Sequence, residues 1–445
     1  MSAKSKSAFV RQSGWMVIAT FAGGLGMAMV HTVARKMGSQ EYSAFVSLLR
    51  LTIILGVPAS ALQTIFARQA AAVTNDGQEE QLRAATRAIL LWTFLVWLVC
   101  GGVVLAGTRP LSRLLMISNP AALYFTVLIG LTTLWIPIGK GLLQGKHHFG
   151  GLGWLQISDG VGRFSVMLLM IFALSGKAAS GMFAAVVGQL ITVIIAACMT
   201  RVLWQTRPAV AFRWQNWLGT ALPLTLGLGT VLVMSSIDML FVQGLFSDTG
   251  QTALYGGAML TGFAIIQFIA PVALVMFARV AQNVARAERA DSLGMTLAAT
   301  ILFGVLAAVG CTLFPRLPLQ LMYFSNREMW EAAPLVPWFA WALLPLTVAN
   351  VLVQNILARA RFEAVPWLVL VPALYAACLC LEAPGLLALK PFAAFIRVIQ
   401  TLGGASLLLC ALAAWFCRTT SAASVAGPDS AAARSISDTA SSPVE

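Results

Sequence analysis

The chain has 445 residues, of which 59% are hydrophobic and only 10% charged, with a formal net charge of +13. Soluble domains carry about 25% charged residues. This chain therefore lacks the polar surface to cover a water-soluble particle, and most of it must face lipid with its backbone satisfied inside helices. The cations are scattered in short segments between apolar runs rather than gathered into a patch. That distribution excludes nucleic-acid binding and makes Lys and Arg topology signals and headgroup contacts.

Residues 1–12 read as a basic, polar cytoplasmic tail. The run at 13–34 is long enough to span and has no small-residue cleavage site, so it is expected to be a first span and not a cleavable leader. Further runs of spanning length fall at 42–64, 87–108, 119–139, 153–175, 179–200, 217–243, 252–278, 293–314, 332–356, 364–382 and 392–416. The expected fold class is all-α integral membrane, with about twelve transmembrane helices in two parallel six-helix lobes around a central cleft. The lobes are expected over 13–200 and 217–417, joined by a linker at 201–216. The Ala- and Ser-rich stretch 418–445 reads as a disordered cytoplasmic tail. Connectors are short, which leaves no soluble domain for a conventional active site. The seven cysteines and His31, His147 and His148 show no metal-ligand spacing, so neither metal nor cofactor is expected.

Orientation follows from the cations outside the spans. Lys4, Lys6, Arg11, Arg68, Arg83, Arg87, Lys140, Lys146, Arg201, Arg207, Arg213, Arg279, Arg286, Arg289, Arg359, Arg361, Arg418 and Arg434 lie on one side, eighteen in all. Arg35, Lys36, Arg109, Arg113, Lys177, Arg316, Arg327 and Lys390 lie on the other, eight in all. The excess puts both termini in the cytoplasm, as an even number of spans also requires.

The chain repeats itself. Phe66-Ala67-Arg68 ends the second span as Phe277-Ala278-Arg279 ends the eighth, 211 residues apart. Phe149 followed by Trp154-Leu155 is matched by Phe362 followed by Trp367-Leu368, at an offset of 213. Six helices per repeat return the chain to its starting side, so the repeats are parallel, with a cleft between them suited to transport. Gly23, Gly24 and Gly26 cluster in the first span and Pro58, Pro137, Pro223, Pro271, Pro345 and Pro372 interrupt others. Gly and Pro are common in membrane helices, but the glycine cluster is the best hinge candidate here.

Three cations, Arg50, Arg163 and Arg397, fall inside spans, as do Asp159 and Asp238. A charge at a helix centre costs about 2.5–3.5 kcal/mol on insertion scales and marks a functional site by default. Arg163 is about 16 Å and Arg50 about 12 Å from the nearer end, while Arg397, at about 8 Å, is within snorkelling reach. Asp159 precedes Arg163 by one helical turn on the same face, which fits a structural ion pair or a lumen where substrate phosphate competes for the guanidinium. Asp238 and His31 are candidates for ion coupling or for a polar lumen wall. A set richer in arginine than in acid suits an anion, because guanidinium stays charged and forks onto phosphate oxygens.

Ala34-Arg35-Lys36-Met37-Gly38-Ser39-Gln40-Glu41-Tyr42 is similar to a pattern reading Arg-x-Leu-Gly-x-x-x-Tyr-Gly, with Met37 for the Leu and Ser43 for the last Gly. With Leu143-Gln144-Gly145-Lys146 and Phe149, it makes the chain resemble the polysaccharide, O-antigen-type flippases of the multidrug and toxin extrusion-like superfamily. The resemblance implies a non-enzymatic transporter of the bacterial inner membrane. Its cargo would be a lipid-diphosphate-linked oligosaccharide, moved from the cytoplasmic to the periplasmic leaflet for cell-surface polysaccharide biosynthesis. Arg163 and Arg50 would grip the diphosphate, with Arg397 as a third contact. The implied partners are this substrate, membrane lipids, and a polysaccharide polymerase and glycosyltransferases. The alternative is a multidrug or cation antiporter of the same fold, which would need an essential lumen carboxylate such as Asp238.

Overall fold

The computed structural model describes residues 3–425 apart from 38–40, 42–44, 46–47, 50–51, 53–55, 115–118, 175–176, 206–209, 247–248, 286–291 and 324–326. Among the described residues every regular element is helical. The first lobe holds α1 (Ala3–Ala34), α2 (Gly56–Ala71), α3 (Asp76–Ala106), α4 (Thr108–Leu114), α5 (Ala121–Gly145), α6 (Phe149–Leu174) and α7 (Ala178–Gln205). The second holds α8 (Trp214–Met234), α9 (Ile237–Leu245), α10 (Thr249–Ala285), α11 (Ser292–Leu313), α12 (Arg316–Met322), α13 (Val336–Ala358), α14 (Val365–Leu387) and α15 (Pro391–Val425).

Long apolar runs become helices because lipid offers the backbone no other partner. Local signals set the ends: Asn75 caps α3 by accepting from the Gln78 amide, with Asp76 and Glu79 in the first turn at the positive end of the helix dipole. Ten helices among the described residues are long and apolar enough to cross a membrane. Of the two other expected spans, 42–64 includes residues outside the description and 252–278 lies within α10.

Three expectations change. Residues from Ala3 onward are not a separate tail but the first turns of α1, and α15 carries helix through Arg418 to Val425. The span expected at 217–243 is broken at Ser235-Ser236 into α8 and α9. The glycines of α1 make a helix contact rather than a break. A Cβ on Gly23 would run into the Gln156 carbonyl, and one on Gly160 into the Gly23 carbonyl. Close backbone approach of this kind is how membrane helices gain dispersion energy without a hydrophobic driving force, and α1 stays unbroken.

The lobes meet at one end. One buried cluster joins Met16, Ile65, Ala67 and Leu143 of the first lobe to Phe277, Ala278, Val280 and Leu357 of the second, where α1, α2 and α5 touch α10 and α2 touches α8. This is the end carrying Arg68, Lys146, Arg279 and Arg359. Two cross-lobe polar contacts sit there: Gln144 Nε2 donates to the Leu274 carbonyl at 3.0 Å, and Arg279 to Gln12 Oε1 at 2.8 Å. The opposite half of the first lobe packs Val33, Phe45, Leu123, Met167 and Met182 into a core with no described member from the second. The two lobes are therefore packed together at the cationic end.

The internal repeat is visible in the backbone. Among the described non-glycine residues, His147 and Ala360 have positive φ, at 56° and 57°, and lie 213 residues apart. After α5 the His148 amide donates to Leu143 O and the His147 amide to Gln144 O; after α13 the Arg361 and Ala360 amides donate to Ile356 O and Leu357 O. Both helices thus end in the same left-handed cap. The paired arginines also reach across the cationic end, with Arg68 over the Phe362 ring at 5.3 Å.

Candidate functional site

Three charged side chains of the first lobe, Lys140, Asp159 and Arg163, form one cluster on α5 and α6. Gln156, Asp159 and Arg163 follow at spacings of three and four, so they line one face of α6. Arg163 Nε donates to Asp159 Oδ1 at 2.9 Å, and its Nη2 lies 2.7 Å from the same oxygen. The other carboxylate oxygen faces Lys140 of α5, whose Nζ lies 3.8 Å from Asp159 Oδ2 and donates to Gln156 Oε1 at 2.9 Å. The side chains of Lys140 and Arg163 are only 11% and 12% exposed, against 24% for Asp159. Two enclosed cations therefore share one carboxylate, leaving net positive charge where desolvation is costly. Gly188 of α7 makes the room: a Cβ there would lie 2.6 Å from the Arg163 backbone nitrogen and 2.8 Å from its Cα. Hydroxyl and amide groups continue the polar layer, with Ser158 3.2 Å from Thr192 and Thr132 donating to Gln189, which reaches Thr133.

Lys140 is the functional candidate that the sequence reading missed. It was expected among the connector cations, yet it lies inside α5 and pairs with α6. The available signal was its setting, Gly139-Lys140-Gly141 between apolar residues. Both glycines are close-packed, a Cβ on Gly139 meeting Ala196 and one on Gly141 the backbone at Gln63.

The other expected site residues lie apart from this cluster. Arg50 is outside the described residues, and His31 lies on α1 without a described side chain. Arg397, on α15, is half exposed and pairs with Glu382 of α14 at 3.2 Å; Thr401 donates to the same carboxylate at 3.1 Å. Asp238 sits in the first turn of α9, just past the helix break, and is 1% exposed. Its Oδ2 accepts from the Tyr255 hydroxyl at 2.8 Å. Among the described residues, its Oδ1 and the buried Tyr375 hydroxyl have no hydrogen-bond partner. The second lobe thus holds a buried carboxyl with tyrosines, and the first a cation pair bridged by a carboxylate.

Residues 120–375 match the family described as lipid II flippase MurJ. In fold, the chain is similar to an outward-facing multidrug-resistance MATE-family transporter of the MOP superfamily (TM-score 0.74, 11% identity, 92% of this chain and 95% of that one). A Vibrio cholerae MATE transporter gives a TM-score of 0.72 at 14% identity, covering 95% of this chain and 98% of that one. A MOP-superfamily transporter from Pyrococcus furiosus, described as having a binding pocket of reverse polarity, gives 0.72 at 13% identity over 93% and 95%. No curated protein matches the chain in sequence.

Proposed function

The chain belongs to the lipid II flippase MurJ family, and on that premise we propose that it carries a lipid-diphosphate-linked oligosaccharide across the bilayer by alternating access. It is a multi-pass transporter of the MOP superfamily and not an enzyme. The observation that carries the substrate assignment is the pair Lys140 and Arg163, both nearly enclosed and sharing the single carboxylate of Asp159. A diphosphate entering between them supplies the missing negative charge and accepts from guanidinium and ammonium together. Asp159 holds both cations in place while the site is empty. Arg397, paired with Glu382 apart from this cluster, and Arg50, outside the described residues, are the further cationic contacts that this reading assigns to the cargo.

The barrier removed is that of drawing a polar headgroup through hydrocarbon. The saccharide crosses in the cleft while the lipid tail trails between helices. We place the protein in the bacterial inner membrane with the cationic end and both termini cytoplasmic, from the eighteen-to-eight division of charge. It would then serve surface polysaccharide synthesis beside glycosyltransferases and a polymerase.

The test is depletion in cells followed by leaflet-resolved assay of lipid-linked sugars. Accumulation on the inner leaflet, uncorrected by Lys140→Ala/Arg163→Ala, supports the proposal. Outer-leaflet accumulation, or full correction by that double variant, contradicts it. A second reading, a cation-coupled antiporter, is favoured by the buried Asp238 alone. It requires Asp238→Asn to abolish drug efflux while sugar export persists.

A further inference from the structure

A cavity of 410 Å³ opens where the lobes adjoin at the cationic end, away from the Lys140–Arg163 cluster. Gln69 of α2 and Gln78 and Gln81 of α3 form one wall; Phe212, Arg213 and Trp217, leading into α8, form the other. Its described lining includes one cation and no acid. The nearby acids Glu79 and Glu80 are tied to Arg83, at 3.4 and 2.7 Å. The positive charge of Arg213 therefore faces the cavity without a local counterion among the lining residues.

Two wall residues hold buried polar atoms with no hydrogen-bond partner among the described residues: Gln69 Oε1, an acceptor, and Trp217 Nε1, a donor. Each is costly to leave unmade. The Gln78 carbonyl oxygen already accepts from the Thr74 amide and hydroxyl at 2.7 and 2.9 Å, so its NH₂ is the group it offers a ligand. An orphan acceptor calls for a hydroxyl. An orphan donor beside an arginine calls for an anionic oxygen. One group supplying both is a phosphate esterified to a polyol.

The surroundings fix the depth. Trp214 stacks edge-on with Trp92, Phe212 and Trp217, with ring centroids 5.5, 4.8 and 6.1 Å apart. Tryptophan clusters of this kind mark the headgroup level of a bilayer. Starting beside Trp92 and running about two turns along α3, Leu91, Leu95 and Val99 are exposed and apolar, as a face against acyl chains should be.

We propose that this cavity binds the headgroup of an anionic, hydroxylated phospholipid of the phosphatidylglycerol type. Because its walls come from α2 and α3 of one lobe and from α8 of the other, the bound lipid clamps the lobes together at the cationic end. A ligand that fits only this state shifts the transport equilibrium toward it. The capture of this lipid is independent of which lipid-linked sugar is carried.

The test uses the full chain in detergent, titrated with phosphatidylglycerol or phosphatidylcholine and read by native mass spectrometry, with thermal stability measured lipid-free. Phosphatidylglycerol should bind more tightly than phosphatidylcholine. Trp217→Phe keeps the ring and removes only the donor; with Arg213→Gln it should weaken phosphatidylglycerol at least about tenfold. Trp217→Phe alone should leave the lipid-free protein as stable as before or more so, since an unmade buried donor is removed. Equal binding of both lipids, or undiminished phosphatidylglycerol binding by the double variant, overturns the proposal. So does soluble glycerol phosphate binding as tightly as the lipid, which would assign the site to a free metabolite.

Discussion

Replacing Asp159 with Asn isolates the electrostatics of the first-lobe site. The change is nearly isosteric, but it leaves Lys140 and Arg163 facing each other without the carboxylate that now lies 3.8 and 2.7 Å from them. Those distances place the two cations no more than about 9 Å apart, where like charges repel by about 2 kcal/mol at an effective dielectric of about 20. Loss of the charge-assisted bonds adds to this, and breaking one partner out of an enclosed pair typically costs about 3–5 kcal/mol. Asp159→Asn should therefore lower the thermal midpoint of the detergent-solubilised protein clearly. Adding Lys140→Met should recover the repulsive part of the loss, about 2 kcal/mol, because it removes the repelling partner and keeps the stem volume. Fluorescence-detected size exclusion after heating reads both effects. If Asp159→Asn is as stable as the parent, the cations are separately solvated and the shared-carboxylate geometry is wrong.

The packing that seats Arg163 gives a paired prediction on one contact. Gly188→Ala pushes a methyl to 2.6 Å from the Arg163 backbone and should cost about 1–3 kcal/mol with loss of transport. Gly162→Ala, whose Cβ meets Gly188 at an ordinary 3.4 Å, should change both by little. Equal behaviour in denaturation and transport assays would refute that packing. The repeated helix caps supply another: His147 and Ala360 both hold positive φ, so His147→Gly and Ala360→Gly should each stabilise by up to about 1 kcal/mol in thermal melts. A destabilised glycine variant would contradict the cap assignment.

Most of the architecture can be read from hydropathy, because a 20-residue apolar run leaves the backbone only one hydrogen-bonded solution in lipid. The repeat was readable from the Arg68 and Arg279 motifs, and the left-handed turns at His147 and Ala360 are its structural counterpart. Hydropathy averages over a window, however, and a two-residue break such as Ser235-Ser236 leaves the average apolar. The Asp159–Arg163 pair was legible because it lies on one helix at a fixed spacing. Lys140 was not, because its contacts are tertiary: only the packing of α5 on α6 brings its ammonium to Gln156 and Asp159. Glu382 was missed as the partner of Arg397 for the same reason, since the two lie on different helices. The glycines of α1 show the converse error, a sequence cue for flexibility that serves close packing against Gln156 and Gly160.

The central claim, that Lys140 and Arg163 grip a diphosphate during transport, is tested most directly in proteoliposomes. A fluorescent lipid-diphosphate oligosaccharide is placed in one leaflet, and its arrival in the other is read by a membrane-impermeant lectin. The parent protein should flip it, and Lys140→Gln/Arg163→Gln should abolish flipping of the diphosphate lipid while remaining folded. Undiminished transport by that variant, or equal transport of an uncharged lipid-linked sugar by the parent, would contradict the account.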